Sequence, residues 1–327
     1  VQVLREIAPF EHPWVVEEAG PVDDAALLRP EDGSPLVFTV DFITPIVDDP
    51  ETFGAIAAAN ALSDVYAMGG EPRVALAVCG FPTDVLRTEV LTRILRGGRD
   101  KAAEAGCAIV GGHTVQDPEL KYGLCVIGVV EDRNALSQTR ACAGDRLVLT
   151  KPLGFGIGAQ AIKKGRLSDA QLTQAVAIMT TLNKAAKDAA LAAGAHAATD
   201  VTGFGLLGHL HHLASASELS ARVFAAAVPT LDFVRPLAAE GLVPGGSKDN
   251  LAYVEPHSSF DSSLSEVERL ILADAQTSGG LLIAVPPEAE AALLQELAEH
   301  GTPVRAVVGE LLSGESGRLE VVRGGAS

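Results

Sequence analysis

The chain contains two successive sets of strand-like and helix-like segments, and this pattern restricts its fold more than any other feature. The first set consists of strands predicted at 36–40, 74–79, 107–110 and 122–130 and of helices predicted at 52–68 and 84–105. The second set consists of strands predicted at 146–150, 281–285, 303–309 and 318–322 and of helices predicted at 156–164, 169–192, 203–214, 265–274 and 287–299. Strands and helices do not alternate strictly, so we expect an α+β fold of α/β layers, in which helices cover one face of each mixed sheet.

The turn Ala143-Gly144-Asp145 lies between the two sets and marks the expected domain boundary. A length of 327 residues is sufficient for two cores. We therefore predict an N-terminal domain at 1–142 and a C-terminal α/β domain at 143–327. Because no low-complexity linker separates them, we expect the two domains to pack closely.

The composition excludes several classes of partner. A net charge of −17 argues against nucleic acid and anionic membranes. No apolar run is long enough to cross a bilayer, and no signal peptide is evident, so we expect a cytoplasmic location. The cysteines Cys79, Cys107, Cys125 and Cys142 form no C-x-x-C pair. They are interpreted as buried thiols in a reducing compartment.

The segment from Asp200 to His209 carries the strongest functional signal. A carboxylate that follows a short apolar run and precedes a glycine-rich turn is suited to hold a divalent cation against phosphate oxygens. Asp24 and Asp64 are possible companions. Because almost no lysine lies nearby in the sequence, three dispersed acids indicate a site where metal ions neutralise a polyphosphate.

Two further acidic positions have both a functional and a structural interpretation. Asp23 and Asp24 precede a short apolar run, where they either coordinate Mg²⁺ or accept backbone hydrogen bonds in a turn. Asn60 and Asp64 lie four residues apart in a predicted helix, so they share one face. That face is either part of a site or a polar stripe in solvent on an alanine-rich helix.

The remaining motifs are less specific. The segment Gly111-Gly112-His113-Thr114 follows a predicted strand, and its backbone amides and hydroxyl suit a phosphate, although such a sequence often forms only a turn. The segment 276–280 is another polar glycine turn, and it lacks the spacing of a P-loop. Lys151 is interpreted as a surface lysine rather than a phosphate ligand. The three histidines in 209–212 are interpreted as a polar helix face.

Taken together, these segments resemble the selenophosphate synthetases, a family also called selenide, water dikinase. The matching segments, in the order in which they occur in the family, are 23–26, 39–42, 60–70, 111–114, 149–154, 199–209 and 276–280. The long stretches around Asp64 and Asp200 are the most specific. The wider superfamily of aminoimidazole ribonucleotide synthetase, thiamine-phosphate kinase and the hydrogenase-maturation dehydratase resembles the chain less well in those stretches.

The resemblance implies a homodimer of two-domain subunits whose N-terminal sheets pair across a two-fold axis. It implies synthesis of selenophosphate from selenide, ATP and water, with Mg²⁺ as cofactor and with release of AMP and orthophosphate. The implied metal ligands are Asp24, Asp64 and Asp200. The residues implied to contact the nucleotide are Pro21, Val22, Asp23, Asp41 and Asp64 and, reaching ATP bound mainly by the other subunit, Gly112, His113 and Thr114.

The family carries a catalytic Cys or Sec, and an essential Lys a few residues on, in a glycine-rich N-terminal segment. The resemblance places that segment ahead of Val1, so the catalytic residues are expected outside this sequence. Without that segment, the chain is expected to bind metal and nucleotide but not to complete the reaction. Two alternatives remain open: a nucleotide-binding regulatory homologue, and a superfamily kinase or synthetase with another acceptor, such as a thiamine phosphate.

Overall fold

A computed structural model describes residues 12–15, 23–31, 33–131 and 135–324. The N-terminal part of the chain forms a five-stranded sheet. Its strands are β1 (Ala26–Leu28), β2 (Leu36–Ile43), β3 (Glu71–Phe81), β4 (Ala108–Gln116) and β5 (Lys121–Val129). They lie in the order β1-β2-β5-β3-β4, and only β3 and β4 pair in parallel, so the sheet is mixed as expected.

Helices α1 (Pro50–Ala67) and α2 (Thr88–Glu104) pack together beside this sheet, and α1 lies directly against it. Helix α1 begins where the side chain of Asp49 accepts a 2.9 Å hydrogen bond from Thr52 N and Pro50 occupies the first turn. It ends before Gly69, whose φ of 77° is a left-handed conformation that favours glycine. Local sequence signals therefore set both ends of the helix that carries Asn60 and Asp64.

Glycines allow α1 and α2 to approach closely. A Cβ atom on Gly54 of α1 would lie 2.0 Å from the carbonyl oxygen of Ile94, and one on Gly97 of α2 would lie 1.9 Å from the carbonyl oxygen of Glu51. Both positions therefore require glycine for contact with the facing backbone. This contact holds α1 in the core that it forms with the sheet.

The opposite face of the N-terminal sheet is apolar, and the described residues leave it exposed; we call it the uncovered face. The register places Val40 opposite Cys125, and Cys125 opposite Leu76, so these side chains share one face. The large exposed apolar side chains of this sheet are Phe38, Val40, Phe42, Leu76, Val110 and Val115. A contiguous apolar surface of this kind is typical of a protein interface.

The C-terminal part of the chain forms a seven-stranded mixed sheet in the order β7-β10-β6-β11-β8-β12-β9. Its strands are β6 (Arg146–Leu149), β7 (Ala197–Asp200), β8 (Ser220–Phe224), β9 (Ser258–Phe260), β10 (Leu281–Val285), β11 (Ala306–Leu312) and β12 (Leu319–Val322). Its helices are α3 (Phe155–Lys163), α4 (Asp169–Thr180), α5 (Lys184–Ala192), α6 (Gly205–Ala216), α7 (Val234–Ala239), α8 (Gly245–Val254), α9 (Glu266–Leu272) and α10 (Glu290–Glu299). The expected fold class, α/β layers with a mixed sheet in each of two domains, is confirmed.

The prediction of one helix over 169–192 was wrong, because the chain breaks between α4 and α5. The hydroxyl of Thr180 donates to Val176 O at 2.9 Å and that of Thr181 donates to Ala177 O at 2.8 Å. Such bonds compete with the helical backbone ladder, and Thr181 is extended. Helices α7 and α8 and the short strands β8 and β9, all between 215 and 264, were not predicted, because the apolar spacing there is irregular.

The glycine segment 111–114 is not a turn after a strand, as the sequence suggested, because it lies inside β4. A Cβ on Gly112 would lie 2.2 Å from Ala77 O, so the glycine permits tight pairing with β3 at a bulge. The expectation of four buried thiols was also wrong. Cys79 and Cys107 are buried, but Cys125 is half-buried on the uncovered face and Cys142 is exposed; all four are unpaired.

No helix in the described part of the chain has both the length and the apolar character needed to cross a membrane.

The close contact of α1 and α2 yields a stability prediction. Gly97→Ala should lower the free energy of unfolding by about 1–3 kcal/mol, because the added methyl group separates the two helices. Gly246→Ala in α8 is the matched control, since a Cβ there meets nothing within 4 Å, and it should leave stability unchanged or slightly higher. Urea unfolding followed by circular dichroism measures both. Equal midpoints for the two variants would contradict the packing argument.

Candidate functional site

A cavity of about 750 Å³ lies between the N-terminal and C-terminal sheets. Its lining includes five carboxylates, Asp23, Asp24, Asp41, Asp64 and Asp200. Other lining residues are Asn60, Gln138, Thr202, Phe204, His209, His212, Asn250, Gln276 and Thr277. None of the described residues that line it is a lysine or arginine. The cavity therefore concentrates negative charge without a neutralising side chain of its own.

Side chains of strand β2 and helix α1 form one wall of the cavity. Alternate residues of β2 and residues four apart in α1 face each other there. Thr39 and Asp41 alternate with the outward-facing Val40, so they point to the side of β2 that faces α1. Thr39 Oγ1 donates to Asp64 Oδ2 at 2.5 Å, and Asn60 Nδ2 donates to Asp41 Oδ2. The expectation that Asn60 and Asp64 share a face is confirmed, and that face points into the cavity rather than into solvent.

Asp23 and Asp24 reach the cavity from the segment ahead of β1. Asp23 accepts hydrogen bonds from Ser137 Oγ at 2.6 Å and from Gln138 N at 3.2 Å. Asp24 Oδ1 accepts from Thr199 Oγ1 of β7 at 2.8 Å. Asp23 therefore behaves partly as the turn acceptor that the sequence allowed, while Asp24 has one oxygen left for another partner.

Asp200 is the last residue of β7 and is almost completely buried. Among the described residues, no donor reaches its Oδ2 atom or the buried Oδ2 atom of Asp24. Buried carboxylate oxygens normally have a hydrogen-bonding partner or a bound cation. Two such oxygens in one acid-lined cavity fit an oxygen-binding cation such as Mg²⁺.

The carboxylates of the cavity bind protons more tightly than free aspartate does. Burial raises the pKa of Asp23 and that of Asp200 to about 6. Burial also raises the pKa of Asp24 and of Asp64 well above the usual range, and the charge of Asp200 adds to both shifts. Burial raises the pKa of Asp41 as well. At neutral pH the cavity therefore carries negative charge that folding has made unfavourable.

His209 in α6 is a neutral ring of fixed tautomer, so the interpretation of 209–212 as a polar helix face was wrong. His209 and His211 are buried. His209 Nε2 lies 3.1 Å from Thr202 N, so it must accept, and the ring proton is on Nδ1. Burial lowers the pKa of His209 to about 3. The ring consequently fixes the backbone that follows Asp200 without adding charge to the cavity.

The turn 276–280 contributes to the site through its backbone. Ser278 N donates to Asn60 Oδ1 at 2.8 Å, which links the turn to α1. Lys151 lies behind this turn and is buried, so its interpretation as a surface lysine was wrong. Its ammonium donates to the carbonyls of Thr181 and Ser278 at 2.7 and 2.9 Å. An exposed lysine was expected because the sequence gives no sign of these backbone acceptors.

Not every residue implied by the resemblance lies at the cavity. Gly112, His113 and Thr114 lie on the edge strand β4, outside the cavity lining. His113 pairs with Val78, so it belongs to the uncovered apolar face. Pro21 and Val22 lie outside the described residues. Gln138 was not predicted as a site residue, because no local motif marks it, and Thr199 lies in the matching segment 199–209 but was given no role.

A separate group, Cys142, Asp145 and His196, is the only set of three possible metal ligands within 4.8 Å of one another in the described part of the chain. Asp145 accepts from Cys142 N at 2.8 Å and contacts His196 Nδ1 at 3.0 Å. These bonds close the turn before β6 and explain the group structurally. Asp24, Asp64 and Asp200 are spread more widely than the ligands of a single ion.

Two family profiles match the chain. The profile of the AIR synthase related protein N-terminal domain matches residues 22–130, and that of its C-terminal domain matches residues 143–322. A division between 142 and 143 itself stays a prediction. Among solved structures, a thiamine-monophosphate kinase from Stenotrophomonas maltophilia has a TM-score of 0.68 at 22% identity and covers 97% of this chain and 93% of its own. The hydrogenase maturation protein HypE in complex with ATP has a TM-score of 0.67 at 22% identity, covering 95% of this chain and 87% of its own. These likenesses show the fold.

Closer relatives show the family. The selenide, water dikinase of Carboxydothermus hydrogenoformans is 43% identical over 98% of this chain and 93% of its own length. That of Myxococcus xanthus is 46% identical over 98% of this chain and 91% of its own length. These relatives do not favour the alternatives of a regulatory homologue or of a kinase with another acceptor. The chain therefore belongs to the selenide, water dikinase family of phosphotransferases, within the AIR synthase related superfamily.

Proposed function

We propose that the acidic cavity binds ATP together with Mg²⁺ and is the place where selenide, ATP and water are converted to selenophosphate, AMP and orthophosphate. The observation that carries this proposal is the pair of buried carboxylate oxygens on Asp24 and Asp200 that no described residue reaches with a donor, in a cavity whose described lining contains no lysine or arginine. A triphosphate cannot enter such a cavity without accompanying cations. The names of the relatives support the reaction.

The proposed metal ligands are Asp24, Asp64 and Asp200. All three offer carboxylate oxygens, the ligand type that Mg²⁺ prefers. Because they are not grouped tightly enough to surround one ion, each ion would be held by one or two of them and by phosphate oxygens. When bound, Mg²⁺ would neutralise the charge of the polyphosphate and hold it in place.

The other polar residues of the cavity hold the carboxylates in position. Asn60 holds Asp41 through its amide, and Thr39 holds Asp64 through its hydroxyl. These two bonds keep both carboxylates turned toward the cavity, where we place the nucleotide against Asp41, Asp64 and Asp23. Phosphoryl transfer requires mainly positioning and charge neutralisation, which is what this set of side chains supplies.

The uncovered sheet face supports a homodimer as the working form. The side chains that protrude from this face include Phe38, Val40 and Leu76, and they are uncharged on a chain of net charge −17. A second copy of the same uncharged face can pack against it without charge repulsion at the centre of the contact. Since His113 belongs to this face, pairing would bring Gly112, His113 and Thr114 close to the other copy, as the resemblance implies.

Four unpaired cysteines support a reducing, cytoplasmic location.

The activity follows as the first prediction. With Mg²⁺, and with any residues that the gene encodes ahead of Val1, the protein should release AMP from ATP only when selenide is present. Asp64→Asn and Asp200→Asn should lower kcat/KM at least about 100-fold, because each removes a charge that holds the metal–nucleotide complex. Asp169→Asn, on the exposed first turn of α4, is the control and should retain activity. Phosphate transfer to thiamine monophosphate without selenide-dependent AMP would support the other acceptor instead.

The raised carboxyl pKa values predict a pH dependence of stability. Protonation of Asp23 and Asp200 favours the folded state, and this stabilisation is lost as pH rises through their folded pKa of about 6. Without metal, these carboxyl groups should therefore raise the melting temperature as the pH falls from about 7.5 to about 5, while the buried His209, whose pKa is lowered to about 3, acts in the opposite direction below about 6.5. Mg²⁺ should stabilise the protein more at the higher pH, because protons compete with it at the lower pH.

Differential scanning fluorimetry with and without Mg²⁺ measures both effects. Asp200→Asn should weaken the pH slope and the Mg²⁺ shift together, whereas Asp169→Asn should change neither. A Mg²⁺ shift of the same size at both pH values in the unmodified chain would count against a carboxylate metal site.

The oligomeric state is predicted by the uncovered face. The protein should have twice the mass of one chain in sedimentation equilibrium. Val40→Lys should give monomers, because it places a charge at the centre of the face. Val85→Lys is the matched control, since Val85 is 79% exposed but lies in the turn after β3, away from the sheet face. A Val40→Lys protein that stays dimeric would show that another surface forms the contact.

A further inference from the structure

Lys151 is a buried lysine behind the cavity, and it is not one of the residues that line the cavity. It follows β6 and is 1% exposed. Its ammonium donates to Thr181 O at the break between α4 and α5 and to Ser278 O in the turn 276–280. Burying an amine is costly unless the amine is hydrogen-bonded, and these two carbonyls are its acceptors. Lys151 therefore holds the backbone at both places and does not contact a ligand in the cavity.

The turn that Lys151 holds is strained and has no free space. Ser278 has a φ of 51°, which is unusual for a residue with a side chain. A Cβ on Gly279 would lie 1.9 Å from Val201 O, and one on Gly280 would lie 2.3 Å from Lys151 N. Strained backbone persists only where surrounding contacts determine it. Lys151 is one of those contacts.

The same turn continues to the cavity through Asn60. Ser278 N donates to Asn60 Oδ1, so the Asn60 amide group must point its Nδ2 the other way, toward Asp41. A path therefore runs from the Lys151 ammonium to the Ser278 carbonyl, along the Ser278 backbone to its N–H, and from there to the Asn60 amide and the Asp41 carboxylate. It connects the C-terminal sheet with α1 and β2 of the N-terminal sheet.

We propose that Lys151 is a positioning residue that fixes the orientation of Asn60 and Asp41 through the backbone of Ser278, and thereby sets the affinity of the cavity for the metal–nucleotide complex. This role rests on the proposed function of the cavity. Substrate never touches the lysine.

The test uses Lys151→Met, which keeps the length of the side chain and removes its ammonium. The Mg²⁺ concentration that gives half of the maximal thermal shift, measured with a non-hydrolysable ATP analogue, should rise roughly tenfold. In the activity assay, KM for Mg-ATP should rise by a similar factor while kcat at saturation changes less. Lys187→Met is the matched control: Lys187 is equally buried but pairs with Glu71 and Asp188, outside the cavity. It should change the melting temperature without changing the Mg²⁺ midpoint.

A double-mutant cycle tests the path itself. If Lys151 acts through Asn60, then Lys151→Met combined with Asn60→Ala should weaken Mg²⁺ binding no further than Asn60→Ala alone. If the two substitutions weaken Mg²⁺ binding by factors that multiply in the double variant, Lys151 does not act through Asn60. Should Lys151→Met fail to fold, Lys151→Gln replaces it, because its shorter, neutral amide cannot donate to both the Thr181 and the Ser278 carbonyls as the ammonium does.

The outcomes separate this inference from the function on which it rests. An unmodified chain without any Mg²⁺ shift overturns the metal site and this inference together. A normal shift in the unmodified chain that Lys151→Met leaves unchanged overturns only the role of Lys151.

Discussion

The burial of five carboxylates in one cavity, which desolvates each of them and makes some of them repel one another, is the constraint on which the rest of this structure depends. Five aspartates line one cavity, and no lysine or arginine among its described lining residues balances them. Hydrogen bonds from Thr39, Ser137 and Thr199 satisfy only some of their oxygens. The fold therefore maintains an arrangement that is unfavourable by itself and becomes favourable with bound cations. Stability and affinity for the metal–nucleotide complex are consequently opposed at the same residues.

The fold can hold these charges because two regular elements with different periods meet at the cavity. Alternation along β2 turns Thr39 and Asp41 toward α1, while the spacing of four in α1 turns Asn60 and Asp64 toward β2. The helix itself is held by backbone contact with α2 at Gly54 and Gly97. A rigid helix matters here, since side chains that repel one another would otherwise move apart.

Much of this arrangement could be predicted from the sequence. The periodic segments gave the α/β layers and most elements, and the spacing of Asn60 and Asp64 gave their common face. The segment around Asp200 indicated a metal site with Asp24 and Asp64 as possible companions, and the resemblance implied that all three are metal ligands, although Asp24 and Asp200 are 176 residues apart in the chain. Lys151 and His209 could not be assigned, because their partners are backbone groups that come from distant segments. The glycines of 111–114 were interpreted as a sign of a turn for a related reason. Glycine is required at Gly112 because the backbone of the neighbouring strand β3 lies too close for a side chain.

The hydrogen bonds between the two sheets fix their relative placement more closely than apolar packing can. Residues of α1 and α4 share one hydrophobic cluster, but apolar contacts have little directional preference and tolerate small displacements. The carboxylates come from both sides of that contact, so a small displacement would alter every distance between them. Hydrogen bonds such as Ser278 N to Asn60 Oδ1 depend on distance and angle, and they fix the relative placement that the cluster alone would not. Asn60, Ser63, Asn183 and Ser278 are buried polar residues at this junction, and the hydrogen bonds from Asn183 to Ser63 and from Ser278 to Asn60 fix the two sides relative to each other.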